Sequence, residues 1–119
     1  MLTIELNNSP QKVLMWETIK RKYHRERRPA FISYWANGRL FVISYFRQGV
    51  YHRNIDEGPA EQKWYPSGQK YLKSYYVNGL SHHPTSAATT LWDEHTGAII
   101  RKLYFINNYL QPRKSDVDD

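Results

Sequence analysis

The chain repeats itself at an interval of thirty residues, and this periodicity constrains its fold more than any other feature. Pro29-Ala30 aligns with Pro59-Ala60, Tyr34-Trp35 with Trp64-Tyr65, and Asn37-Gly38 with Ser67-Gly68. In the same frame Ser44-Tyr45-Phe46 meets Ser74-Tyr75-Tyr76, Gln48-Gly49 meets Asn78-Gly79, and His52 meets His82, without a gap. A third copy follows twenty-nine residues on: Gly97 falls on Gly68, Tyr104-Phe105 on Tyr75-Tyr76, and Asn107-Asn108 on Asn78-Gly79. Asn in a Gly place fits a backbone at positive φ, which Asn tolerates better than most side chains. A worn leading copy precedes these, since "YHRERRPA" at 23–30 echoes "YHRNIDEGPA" at 51–60 with two residues fewer before the proline.

Each unit reads as a β-hairpin. Aromatic and β-branched runs suit a pleated surface. Between them, Asn37-Gly38 and Ser67-Gly68 are hairpin-turn signals, because Gly reaches positive φ without strain. The longer turn at 93–97 ends on Gly97 in the same role. Gly49, Gly58-Pro59 and Gly79 mark further turns. Strands are expected at about 2–6, 12–18, 30–36, 40–47, 60–65, 70–77, 88–92 and 99–106. The fold class is therefore all-β: an antiparallel meander of stacked hairpin repeats with about eight strands. Pro and Gly interrupt every stretch long enough for a helix. The exception is 11–28, where "WETIKRKYHRER" also suits a helix. Three parts follow: a degenerate leading hairpin or arm at 1–28, three repeats at 29–111, and a polar, aperiodic tail at 112–119 that reads as disordered.

Composition narrows the class. In 119 residues there are ten Tyr, four Trp and four Phe, too many aromatics for a disordered chain. Cysteine is absent, which excludes disulfides and thiolate metal sites. No apolar run approaches the roughly 20 residues of a membrane span, and the first residues lack the pattern of a secretory signal. The expected location is the cytoplasm. The net charge of +6 favours acidic partners.

The segment 51–79 resembles the MORN-variant repeat, whose units run Tyr-Tyr-x-Asn-Gly, His-Arg, Gly-Pro-Ala, an aromatic pair and another Asn-Gly turn. The matching residues are Tyr51, His52, Arg53, Gly58, Pro59, Ala60, Trp64, Tyr65, Gly68, Tyr75, Tyr76, Asn78 and Gly79. The resemblance covers about 23–112. The outer copies depart from it, with Arg28-Pro29 for Gly-Pro and with His82-His83-Pro84 in the third. Capping units of a stacked array drift in this way. The resemblance implies a curved sheet of stacked hairpins that serves as an interaction scaffold, and it implies no reaction. It also suggests settings: a viral or phage factor acting on a host protein in the host-cell interior, a minor component of a virion, or an antitoxin-like inhibitor.

Two surfaces are candidates for binding. The first is an aromatic face made of Tyr34, Trp35, Trp64, Tyr65, Tyr75, Tyr76 and Tyr104, since Tyr and Trp are enriched at protein interfaces. The competing reading is that these rings stack repeat on repeat. The second is the basic run of Lys20, Arg21, Lys22, Arg25, Arg27 and Arg28, suited to phosphates or an acidic protein. No nucleic-acid-binding signature accompanies it, so a protein partner ranks first and nucleic acid second. Open sheet edges add homo-oligomerisation as a route.

The histidines recur once per repeat, at His24, His52 and His82, a row rather than a converging ligand set. Their expected role is hydrogen bonding to a turn, with Arg53 beside one of them. Carboxylates are few and most lie in turns or the tail, and no nucleophile–base pair or Gly-rich phosphate loop is present. No enzyme activity, cofactor or metal is expected.

Overall fold

The expected hairpins form and join edge to edge in one antiparallel sheet. The computed structural model describes residues 2–5, 12–17, 22–25 and 27–112. In chain order the strands are β1 (Leu2–Glu5), β2 (Lys12–Met15), β3 (Phe31–Tyr34), β4 (Leu40–Ser44), β5 (Phe46–Arg47), β6 (Val50–Tyr51) and β7 (Glu61–Trp64). There follow β8 (Lys70–Ser74), β9 (Tyr76–Val77), β10 (Leu80–Ser81), β11 (Thr89–Trp92), β12 (Ile99–Leu103), β13 (Phe105–Ile106) and β14 (Tyr109–Leu110). The main sheet has eight strands in the order β1-β2-β3-β4-β7-β8-β11-β12. Three two-stranded ribbons, β5-β6, β9-β10 and β13-β14, and a 3-10 turn at Ile55–Glu57 complete the regular structure among the described residues.

These ribbons are the feature the sequence reading did not anticipate. The long strands expected at 40–47, 70–77 and 99–106 each break at one tyrosine: Tyr45, Tyr75 and Tyr104. Tyr45 and Tyr75 still donate their backbone N–H to Ala60 and Ala88, at 2.7 Å each. Beyond the tyrosine the chain leaves the ladder and pairs with the segment after the next Gly or Asn turn. One unit is thus two hairpins, long and short. The leading segment belongs to the array. β2 pairs with β3 in the main sheet, and the Glu17–Tyr23 bridge stands where later units have their ribbons. Positions 18–21, and the tail from 113, lie outside the described residues.

Two turn chemistries alternate. Long hairpins close with a single positive-φ glycine, Gly38 at 86° and Gly68 at 93°. A register shift follows each of these turns, the geometry of a turn ending in a bulge. The ribbons close with two positive-φ residues, Gln48-Gly49, Asn78-Gly79 and Asn107-Asn108. This is the mirror-image turn whose twist matches its strands. Asn108 takes φ 72° in the place of a glycine, as its residue type suggested.

The sheet interior is built from small side chains. Ala30, Ala60 and Ala88 are fully buried, and the largest fully buried side chains are Ser33 and Ser44. Phe31, Ser44, Glu61, Ser74 and Thr89 form one cross-strand row. Rings from the ribbons lie over this row. Tyr23 meets Phe31 and Phe46, Phe46 stacks on Tyr51 at 4.5 Å, and Tyr51 stacks on Tyr76 at 4.9 Å. Small residues below make room for the ring ladder above. Each ring pair adds about 0.5–1.5 kcal/mol beyond its area burial.

Candidate functional site

The ladder is anchored by a buried carboxylate. Glu61 Oε2 accepts the Tyr51 hydroxyl at 2.8 Å and the Ser44 hydroxyl at 3.3 Å. Burial, then the hydrogen bond and charge of Glu61, push the Tyr51 phenol well above its ordinary value. Burial and the Glu61 charge raise Tyr76 too. Both phenols stay protonated, and Tyr51 donates to Glu61, so the arrangement is structural.

A repeated clamp joins each unit to the next. His24 Nδ1 accepts the Gln48 N–H at 3.0 Å, His52 Nδ1 that of Asn78 at 2.9 Å, and His82 Nδ1 that of Asn107 at 3.1 Å. The second residue of each turn donates to the carbonyl just before the histidine: Gly49 to Tyr23, Gly79 to Tyr51 and Asn108 to Ser81, all at 2.8 Å. Every ribbon turn is therefore held by two hydrogen bonds from the preceding unit. This is the turn-binding role expected of the histidines, directed at the neighbouring repeat.

The residue after the histidine completes the motif. The Arg53 guanidinium lies 3.9 Å from the Tyr45 ring centroid and donates to the Pro59 carbonyl at 3.1 Å. Arg25 does the same one unit earlier, 4.0 Å from the Trp16 ring and 3.3 Å from the Pro29 carbonyl. In the third unit His83 packs edge-on against Tyr75 at 4.7 Å. Gly58 is explained by this seat. Its φ is 131°, and a Cβ there would fall 2.6 Å from Arg53 Nη1.

The aromatic residues singled out in the sequence are all half-buried, and the structure uses most of them between repeats. Trp35 packs on Phe41 and donates its indole N–H to the Trp64 carbonyl at 2.9 Å. Tyr65 packs on Tyr71 and donates its hydroxyl to the Trp92 carbonyl at 2.7 Å. Tyr34 lies beside Lys12, Tyr75 beside His83 and Lys73, Tyr76 in the ladder, and Tyr104 in the last unit. They do not form one exposed face.

The basic run is divided. Lys20 and Arg21 lie outside the described residues, Lys22 packs near Gly49, and Arg28 is exposed. Arg25 and Arg27 join Arg47, His52 and Arg53 of the next unit around a groove of about 190 Å³, with Glu57 as its one carboxylate among the described residues. Arg47, His52 and Arg53 were not among the sequence candidates for binding. The signal for two of them was the His-Arg pair that recurs at 24–25 and 52–53.

The other notable surface is the last unit. β4 and β8 give residues 42–44 and 72–74 to the first strand of the following unit. In β12 the equivalent residues 101–103 have no such partner among the described residues. The bulge residues Phe41 and Tyr71 pack on Trp35 and Tyr65, whereas their counterpart Ile100 is 59 % exposed. Ile99 next to it is exposed by 50 %, and Tyr109 and Leu110 in the ribbon after β12 by 76 % and 60 %.

Among the described residues no group of three His, Asp or Glu is placed to hold a metal ion, and no helix is long and apolar enough to cross a membrane. No family model, curated protein or solved structure matches the chain.

Proposed function

We propose that the protein is a non-enzymatic binding module that takes a strand of a protein partner onto the open edge of β12. The observation that carries this reading is the interrupted stacking pattern. Three times within the chain, at β2, β4 and β8, the second strand of a unit receives a neighbour, and the fourth time, at 101–103, it has none among the described residues. Exposed apolar side chains flank that edge. An unpaired edge with apolar flanks is an association site. Arg101 and Lys102 on the strand favour an acidic partner. A second copy of this chain is one candidate, because β1 runs antiparallel to β12 and would continue the meander. The resemblance to MORN-variant scaffolds supports the same class, in a viral, phage or antitoxin-like setting.

Capture from a lysate of the native host cell, at low salt and at roughly 0.5 M salt with and without nuclease, tests the reading. A discrete protein that survives both treatments, and is lost with Ile100→Lys, is the expected result; for self-association, light scattering replaces capture. Nucleic acid alone, lost at high salt, would replace this reading with one centred on the basic groove. A monomer that retains nothing would overturn it.

A further inference from the structure

We infer that the arginine groove between the leading unit and the next is a binding site for a phosphate-class dianion. Among the described residues, Arg25, Arg27, Arg47 and Arg53 face a single carboxylate, Glu57, and Arg27 and Arg47 make no ion pair. Two of the four are positioned before any ligand arrives. Arg25 and Arg53 are each pinned on a ring face and spend one donor on a proline carbonyl. A guanidinium has five N–H donors, so most remain for an oxyanion. Arg27 is held at φ 56°, a conformation that L side chains rarely adopt.

His52 supplies an independent indication. Its Nδ1 accepts the Asn78 N–H, so the neutral ring carries its proton on Nε2. That nitrogen is buried and has no hydrogen-bond partner among the described residues. The Asn54 side chain interacts with this ring and favours its charged form. His52 thus adds to the arginine lining a ring whose buried N–H donor meets no acceptor among the described residues.

The chain contains its own control. Two units later the same scaffold positions line a groove of about 270 Å³ with the cations removed. His83 stands for Arg25, Ile106 for Arg47, Gln111 for His52 and Pro112 for Arg53, while Tyr104-Phe105 repeats Tyr45-Phe46. The repeat thus forms this groove without arginines, and their concentration at one end is not a requirement of the fold. The same comparison selects the ligand. A nucleic-acid strand needs cations continuing along its track, yet Arg47 becomes Val77 and then Ile106 in successive units. One compact dianion, such as a phosphate monoester, matches an isolated cluster of guanidinium forks.

The test is a nuclear magnetic resonance titration with inorganic phosphate at constant ionic strength, following the His52 ring and the arginine side chains. A phosphoserine peptide and its unphosphorylated form run in parallel. The key variant is Arg47→Val, which installs the residue the next unit carries and leaves the fold intact. Saturable shifts with a millimolar dissociation constant are expected, with affinity for phosphate and phosphopeptide reduced roughly tenfold in the variant. The ratio of the two affinities assigns the source, a free phosphate compound or a phosphorylated segment. Three results would overturn the inference: sodium chloride reproducing the shifts, Arg47→Val binding phosphate as the wild type does, or the unphosphorylated peptide binding equally well.

Discussion

Gly58→Ala probes the arginine seat directly, and its cost follows from two separable causes. The first is conformational: φ 131° with ψ −174° is a region nearly confined to glycine, and a side chain there costs about 1–3 kcal/mol. The second is steric. A Cβ would lie 2.6 Å from Arg53 Nη1, so the guanidinium must leave the Tyr45 ring and the Pro59 carbonyl. Losing that ring contact and hydrogen bond costs about 1–2 kcal/mol together at a half-exposed position. Reduced freedom of the unfolded chain returns about 0.4–1 kcal/mol, leaving a net loss of about 2–4 kcal/mol. Gly38→Ala is the reference, since Gly38 has φ 86° and nothing within 4 Å of an added Cβ. It should cost only about 1 kcal/mol. Urea unfolding with unchanged m-values reads both. In an Arg53→Ala background the clash is gone, and the Gly58→Ala cost should shrink toward its conformational part. Equal costs for the two glycines, or no change in the Arg53→Ala background, would show that Arg53 does not occupy the space above Gly58.

Other outcomes follow from the same contacts. Burial and the Arg47 charge lower the His52 pKa; burial, His82 and Lys73 lower that of His83. The unfolded chain therefore binds more protons, so this stability is complete above about pH 6.5 and is lost as pH falls through the lowered folded values. His52→Gln, which can keep an acceptor for the Asn78 N–H without titrating, should hold neutral-pH stability and flatten that acid slope; an unchanged slope in urea unfolding between pH 5 and 7 would remove His52 from the account. Tyr51→Phe leaves the buried Glu61 with one hydroxyl partner fewer and should cost about 1–3 kcal/mol, read as a lower urea midpoint. A cost near zero would mean that water replaces the phenol at Glu61.

Much of the fold was legible because a repeat writes its spacing into the chain. Pro29, Pro59, Gly38, Gly68 and Gly97 mark the long hairpins, and the structure places main-sheet strands within a few residues of those marks. The ribbons were not legible. Tyr45-Phe46-Arg47 has the composition of a strand whether it stays in the sheet or leaves it, and the choice depends on what the His24 clamp offers the turn at 48–49. The candidate faces divided for the same reason. A half-buried Trp35 and an exposed one look alike in sequence until the Trp64 carbonyl is placed beside the indole.

The sequence by itself determined the period, the turn chemistry and the all-β class, because these rest on local backbone preferences and the alternation of side chains. Only the tertiary structure decided which residues share a site. Arg25 and Arg27 belong to one unit and Arg47, His52 and Arg53 to the next, and stacking brings them to one groove. The edge at 101–103, open among the described residues, is likewise a property of the assembled sheet. A strand's residues encode its capacity to pair, but whether a neighbour uses that capacity depends on where the stack ends.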